Sequence, residues 1–178
     1  MSTVTTLLSN PQSAGVWSLV PDRSTIGFKS KSMWGLVPVK GRFTEFSGDG
    51  QITEGQTIFG RIDIKAASLD TKLRKRDEDL RSAKFFDVAK YPDISVEVTS
   101  ADDIAGDTID LRAQLSVKGT TKPLTLTTKV TLLDDGAVRL TTQTTIDRKD
   151  FGVEGNLAGM VVDKATVSAD VVFRRAAG

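Results

Sequence analysis

The residues able to do chemistry in this chain are of narrow type. Its 178 residues include no His and no Cys, which removes imidazole bases, thiol nucleophiles, His-ligated haem and Cys-based zinc or iron–sulfur centres. Carboxylates, hydroxyls, lysines and a single tyrosine, Tyr91, remain. Asp102 with Asp103 and Asp134 with Asp135 are paired carboxylates, yet acid–base hydrolysis needs two carboxyls about 5–10 Å apart across a cleft. Neighbouring acids beside turn glycines read as solvated turns. The cluster Lys72, Arg74, Lys75 and Arg76 has the chemistry to neutralise a phosphate. Asp77, Glu78 and Asp79 follow at once, so a solvated helix face with local pairing is the simpler reading, with Arg76 and Asp77 as a structural ion pair.

Two further words resemble catalytic motifs and fail on context. DRKDFG at 147–152 contains the letters of a kinase DFG without a glycine-rich loop, strand lysine or HRD. Gly152 reads as a turn residue, Phe151 as its anchor and Asp150 as a local backbone partner. KGTTKP at 118–123 lacks the glycine and Lys-Ser/Thr spacing of a phosphate loop and reads as a hairpin. No acidic spacing matches an EF-hand or similar metal loop, so neither a metal nor a redox cofactor is expected.

The elements that must hold these residues show a period of two. Ile58, Gly60, Ile62, Ile64 and Ala66 alternate with Phe59, Arg61, Asp63 and Lys65, the mark of a half-buried strand. Ile109, Leu111, Ala113, Leu115 and Val117 alternate with polar neighbours still more cleanly, so Ile62, Ile64, Leu111 and Leu115 are expected inside. Weaker alternation runs through STIGFKSKS, VPVKGRFTEFSG, DISVEVTS, KPLTLTTKVTLL, AVRLTTQTTID and ATVSADVVFRR, with GDG at 48–50, AGD at 105–107 and DDG at 134–136 as turn signals. With VWSLV these make about eight or nine strands, more than a flat sheet carries without curling. The expected fold is a single antiparallel β-barrel of about eight strands. Large inward residues stand beside small ones (Gly41, Gly60, Ala113, Ala169), which leaves interior space. Leu73, Arg76, Asp77 and Leu80 keep helical spacing, so a short helix is inserted near 71–86, N-capped by Asp70 or Thr71 with a second start at Ser82. Residues 1–15 show no sustained period and read as a flexible leader to a domain at 16–178. Trp17 and Trp34 read as core or barrel-end closure, Trp34 within an apolar lip at 33–38.

Twenty-four basic and 23 acidic residues leave a net charge of +1, no global field for nucleic acid. No stretch approaches about 18 consecutive apolar residues and no signal-peptide pattern opens the chain, so a cytoplasmic protein without a transmembrane segment is expected.

From Val16 to Arg174 the order of motifs resembles the YceI-like family of lipocalin-like, polyisoprenoid-binding proteins. The resemblance rests on Trp17 with DRSTIGF at 22–28, VKGRF at 39–43, ASLDT at 67–71, KRDEDLRSAKFFDVAKYPDI at 75–94, LSVKGTTKPLTL at 115–126 and IDRKDFGV at 146–153. Counterparts of the family's RD-x-HL, FFD-x-x-x-YP, KG-x-T-x-P and R-x-DFG-V are all present. Two family histidines are replaced, by Arg23 and Asp79. The resemblance implies a lipocalin-like barrel and a lipid-sized occupant.

The expected function is therefore non-catalytic binding of a long apolar ligand, a polyisoprenoid or other lipid amphiphile, inside the barrel. The tunnel residues are Ile26, Phe28, Phe43, Ile62, Ile64, Leu80, Phe86, Leu111, Leu115, Ile146, Phe151 and Val167. Arg76, Arg148 and Lys149 are head-group candidates, with the mouth near the 71–86 helix and the 147–156 loop. Carrier, storage and stress-protection roles follow equally, and a homodimer is among the expected assemblies. An isomerase or cyclase using the same cavity with a buried carboxylate or Tyr91, and a filled-barrel interaction module, are the alternatives.

Overall fold

The computed structural model describes residues 3–32, 37–153 and 163–176; the Trp34 lip and residues 154–156 of the expected mouth lie outside them. The strands are β1 (Gly15–Leu19), β2 (Thr25–Ser32), β3 (Val37–Phe43), β4 (Phe46–Ile52), β5 (Ile58–Lys65), β6 (Leu69–Asp70), β7 (Asp93–Ala105), β8 (Thr108–Val117), β9 (Thr120–Leu132), β10 (Val138–Asp147) and β11 (Lys164–Arg175). Among the described residues two helices, α1 (Thr3–Ser9) and α2 (Arg74–Arg81), accompany the strands together with single 3-10 turns.

All ladders are antiparallel, and the pairing of β1 with β11 closes them into an eight-stranded barrel. Three of its staves are interrupted. β1 and β2 form one stave broken at Pro21–Arg23, and β3 and β4 another broken at Thr44–Glu45; β1 pairs with β4, and β2 with β3. β5 and β6 form the third, split by a 3-10 turn at Ala66–Ser68. Each stave then neighbours the next in sequence, an up-and-down meander that leaves few open edges. The break in the second stave corrects the reading of VPVKGRFTEFSG as one strand. It also moves GDG at 48–50 from a turn into the middle of β4.

The turns that do join strands carry the expected residues. Lys118 and Gly119, both at positive φ (52° and 78°), form the two-residue β8–β9 hairpin of the type whose twist matches the strands. Gly106 and Gly136 occupy positive φ in the β7–β8 and β9–β10 turns. β8 shows the alternation in full, with Ile109, Leu111, Ala113, Leu115 and Val117 buried and Arg112 and Gln114 exposed. Ile64 is likewise buried in β5, with Ile62 on the same face.

Residues 3–9 are not a flexible leader. α1 buries Val4, Leu7 and Leu8 across one end of the barrel, against Trp17, Ile52, Ile109, Val130 and Val138. A seven-residue helix has no independent stability, so this burial is what holds it.

At the same end Asp135 joins three elements. Its carboxylate accepts from the Ala137 N–H (3.1 Å) and from Arg23 (2.8 Å), with Arg174 at 3.5 Å. The Ala137 amide, then the Arg23 guanidinium, hold its pKa below the ordinary carboxylate value. A lowered folded-state pKa contributes stability that is present above the unfolded value and lost as pH falls through the folded one. Asp135→Asn is expected to lower the melting temperature at pH 7 and to converge on the wild type as pH falls through the lowered folded-state pKa of the carboxyl. A pH-independent difference in thermal melts would contradict this assignment.

Candidate functional site: an apolar cavity along the barrel axis

The inward faces of the staves do not meet. They enclose a cavity of about 450 Å³, within the ~300–1,000 Å³ range of small-molecule sites. Glycines in the β4–β5 ladder create part of the space. Gly50 lies opposite Gly60, and Gly48 opposite Ile62, so three inward positions carry no side chain where neighbouring ladder positions carry Phe46, Ile52 and Ile64. A Cβ on Gly50 would meet nothing nearer than 3.7 Å, whereas one on Gly60 would come within 2.8 Å of the Asp49 carbonyl oxygen. Gly50 is thus open to a larger residue and Gly60 is not.

α1 floors the cavity, with Val4 and Leu7 in its wall beside Trp17. Trp17 is fixed there by its indole N–H, which donates to the Ser13 carbonyl at 2.8 Å. At the opposite end Phe28, Phe43 and Phe86 form a triangle with ring centroids 5.6–6.4 Å apart, spacing that favours tilted and edge contacts. Phe28 reaches this position by lying over Gly41, its cross-strand partner: a Cβ there would sit 2.4 Å from Phe28 Cζ.

The mouth-end scaffold is tied by a few polar bonds. Asp77 is buried, and its Oδ1 accepts from both the N–H (2.9 Å) and the hydroxyl (2.5 Å) of Thr71. Arg76 donates from Nε to Thr71 Oγ1 (2.8 Å) and from Nη2 to Thr71 O (2.7 Å). The two residues therefore meet through Thr71 rather than as the expected direct ion pair. Neither Asp70 nor Thr71 caps α2; Leu73 holds the N-cap position without a side-chain bond, and Ser82 ends the helix instead of starting a second one. Leu73 is exposed, whereas Leu80, Phe85 and Phe86 pack inward. Lys118 of the β8–β9 hairpin donates to Ala83 O (2.9 Å) and Gly152 O (3.0 Å), joining the two segments that frame the mouth.

The 148–153 segment is a 3-10 turn ending at Gly152, φ 73°. Phe151 anchors it in the core, as expected. Its N-cap is Asp147, which accepts from the Lys149 N–H at 3.0 Å, the role expected of Asp150. Arg148 is buried and donates to Val153 O at 2.6 Å.

All twelve residues expected in the tunnel line this cavity. Of the three cationic candidates, Arg76 and Arg148 line it and Lys149 does not; the Lys149 ammonium lies 3.2 Å from Asp163. Arg76 Nη1 has no hydrogen-bond partner among the described residues. The two positions that replace family histidines separate. Asp79 lines the cavity beside Arg76, while Arg23 is held by Asp135 near the other end. Sequence reasoning missed Val4, Leu7, Gly50 and Lys118. The i, i+3, i+4 spacing of Val4, Leu7 and Leu8 was the available signal for the first two.

Among the described lining residues the carboxylates are Asp49 and Asp79, and both are exposed. The carboxylates with displaced pKa values, Asp70, Asp135 and Asp170, are displaced downward and do not line the cavity. Tyr91 does not line it either. No described helix is long and apolar enough to cross a membrane.

Comparison with known proteins agrees with this geometry. Similar chains include UPF0312 proteins of Pseudomonas putida, 33% identical over 128 residues that make up 66% of this chain and 65% of theirs, and of Shewanella baltica, 28% identical over 158 residues, 83% and 82% of the two chains. The chain thus spans 65% of the length of the Pseudomonas putida relative it matches. The fold is shared with BcnA of Burkholderia cenocepacia (TM-score 0.79, 19% identity, 86% of this chain and 98% of that one). It is shared also with a polyisoprenoid binding domain from Saccharophagus degradans (TM-score 0.75, 19% identity, 90% and 98%). The model of the YceI-like domain matches residues 17–173, nearly the whole barrel, and the chain belongs to the YceI-like domain family.

Proposed function

We propose that this protein is a non-catalytic binder of a long apolar chain, a polyisoprenoid or comparable lipid amphiphile, taken into the barrel with its polar end at the α2 mouth. The observation that carries the reading is the apolar cavity running from α1 to the phenylalanine triangle, with Arg76 and Arg148 lining it at the mouth end. Partitioning supplies the free energy. Each methylene moved from water into such a site contributes about 0.8 kcal/mol, so a dozen or more carbons offset the roughly 4–15 kcal/mol lost on association. The polyisoprenoid-binding description of the Saccharophagus degradans domain supports this ligand class. The absence of a buried carboxylate among the described lining residues favours binding over an isomerase or cyclase.

At the mouth, Arg76 is the head-group residue, since Nη1 remains for a phosphate oxygen while its other nitrogens hold Thr71. Arg148, whose guanidinium lies 3.9 Å from Asp163, is the second cationic group there, in a buried position. The test is a titration of octaprenyl pyrophosphate, the corresponding alcohol and a long fatty amide. All three are expected to bind below about 100 µM, a free energy near −5.5 kcal/mol. Arg76→Gln is expected to weaken the pyrophosphate about tenfold, the worth of one charge-assisted hydrogen bond, and to leave the alcohol unchanged. Failure of all three to bind would sink the reading and favour a barrel whose partner binds outside.

A further inference from the structure

The outer face of the β2–β3 hairpin carries an arrangement that folding alone does not explain. Lys29 lies directly opposite Lys40 in the ladder, and Lys31 and Arg42 follow on the same face. Like charges directly opposite each other destabilise a strand pair. All four side chains are exposed, and none has an ion-pair partner among the described residues. The flanking elements do not relieve them. On β11, Thr166 faces Lys29, and Ser30 Oγ donates to Lys164 O at 3.3 Å, which places the Lys164–Asp147 pair beside this edge. The nearby acids are engaged elsewhere: Asp147 with Lys164, Asp170 with Arg139, and Asp70 with Lys72, although Asp70 also lies across the ladder from Arg42.

We propose that this face docks on an anionic lipid bilayer, setting the cavity mouth toward the membrane. The patch lies at the same end of the barrel as the phenylalanine triangle, and the β2 strand that bears Lys29 also bears Phe28. A bilayer is chosen over nucleic acid because the patch adjoins the mouth of an apolar site; that choice rests on the cavity reading, while the docking itself is measured without any cavity ligand.

The experiment is flotation of the full chain with phosphatidylcholine vesicles, alone or with about 30% phosphatidylglycerol, since a lysine or arginine near an anionic surface is worth about fivefold in partitioning. Binding is expected with the anionic vesicles only and should be lost at about 0.5 M salt, where screening removes surface electrostatics. Lys29→Glu with Lys40→Glu should reduce partitioning more than twentyfold, at about fivefold or more per charge. Lys40→Glu alone should weaken vesicle binding yet raise the melting temperature, because it turns a like-charge pair into an opposite one. Lys129→Glu, at the far end, should leave binding unchanged. Equal flotation with neutral vesicles, equal loss in Lys129→Glu, or tighter binding to a short DNA duplex at the same salt would each overturn the proposal. A failed lipid titration alongside intact flotation would instead count against the cavity reading alone.

Discussion

Gly50→Leu is expected to lower affinity for an octaprenyl chain about a hundredfold and to leave the fold and the binding of short chains intact. Four carbons added at an inward position displace a comparable length of ligand, and about four methylenes at ~0.8 kcal/mol amount to ~3 kcal/mol, or roughly two decades. The position accepts the substitution because its new Cβ would stand 3.7 Å from Phe59 O and 3.9 Å from Phe173 Cε1, ordinary contact distances. Ile64 and Leu115 are worse places for the same test. Both are packed into the core cluster at the mouth end, where a larger residue costs about 1–3 kcal/mol in overpacking and would confuse loss of binding with loss of structure. Isothermal titration with chains of graded length separates the outcomes. An unchanged affinity for the long chain would mean that the ligand does not reach the β4–β5 glycines.

The barrel was legible in the sequence because strand alternation is a local record of a nonlocal fact: each inward residue of β8 is apolar whatever it packs against. The interruptions were not. Phe46, Gly48, Gly50 and Ile52 keep the period of two, but GDG is also a turn word, and nothing local distinguishes a glycine that bends a chain from one that empties a wall. The cavity residues were readable for the same reason as the strands, since inward parity places them. Polar partners were not readable, because Thr71 joins Arg76 and Asp77 through the fold of one turn, and Lys118 reaches Ala83 and Gly152 across a gap of more than thirty residues. Lys149 shows the limit from the other side: adjacent to Arg148 in sequence, it points to Asp163 instead of the cavity.

α1 carries the last expectation. Its seven residues hold to the barrel by burying Val4, Leu7 and Leu8, and by the Val4 N–H to Gly106 O bond at 3.4 Å. Val4 and Leu7 therefore set the depth of the cavity. A chain longer than that depth must displace α1 and forfeit burial worth about 1.5–3 kcal/mol per large side chain, partly offset by the backbone freedom that seven residues regain. A shorter chain is indifferent to the helix. Removing residues 1–9 is accordingly expected to tighten binding of chains longer than the cavity at least tenfold and to leave shorter chains unchanged. It should also lower the melting temperature, because the buried surface around Ile109 and Val130 loses its cover. Leu7→Ala tests the same idea in a chain that keeps its helix sequence, with a stability cost of about 2–5 kcal/mol and a smaller shift toward longer ligands. If affinity falls with chain length in the same way in all three proteins, α1 does not limit the cavity and the ligand must end before it.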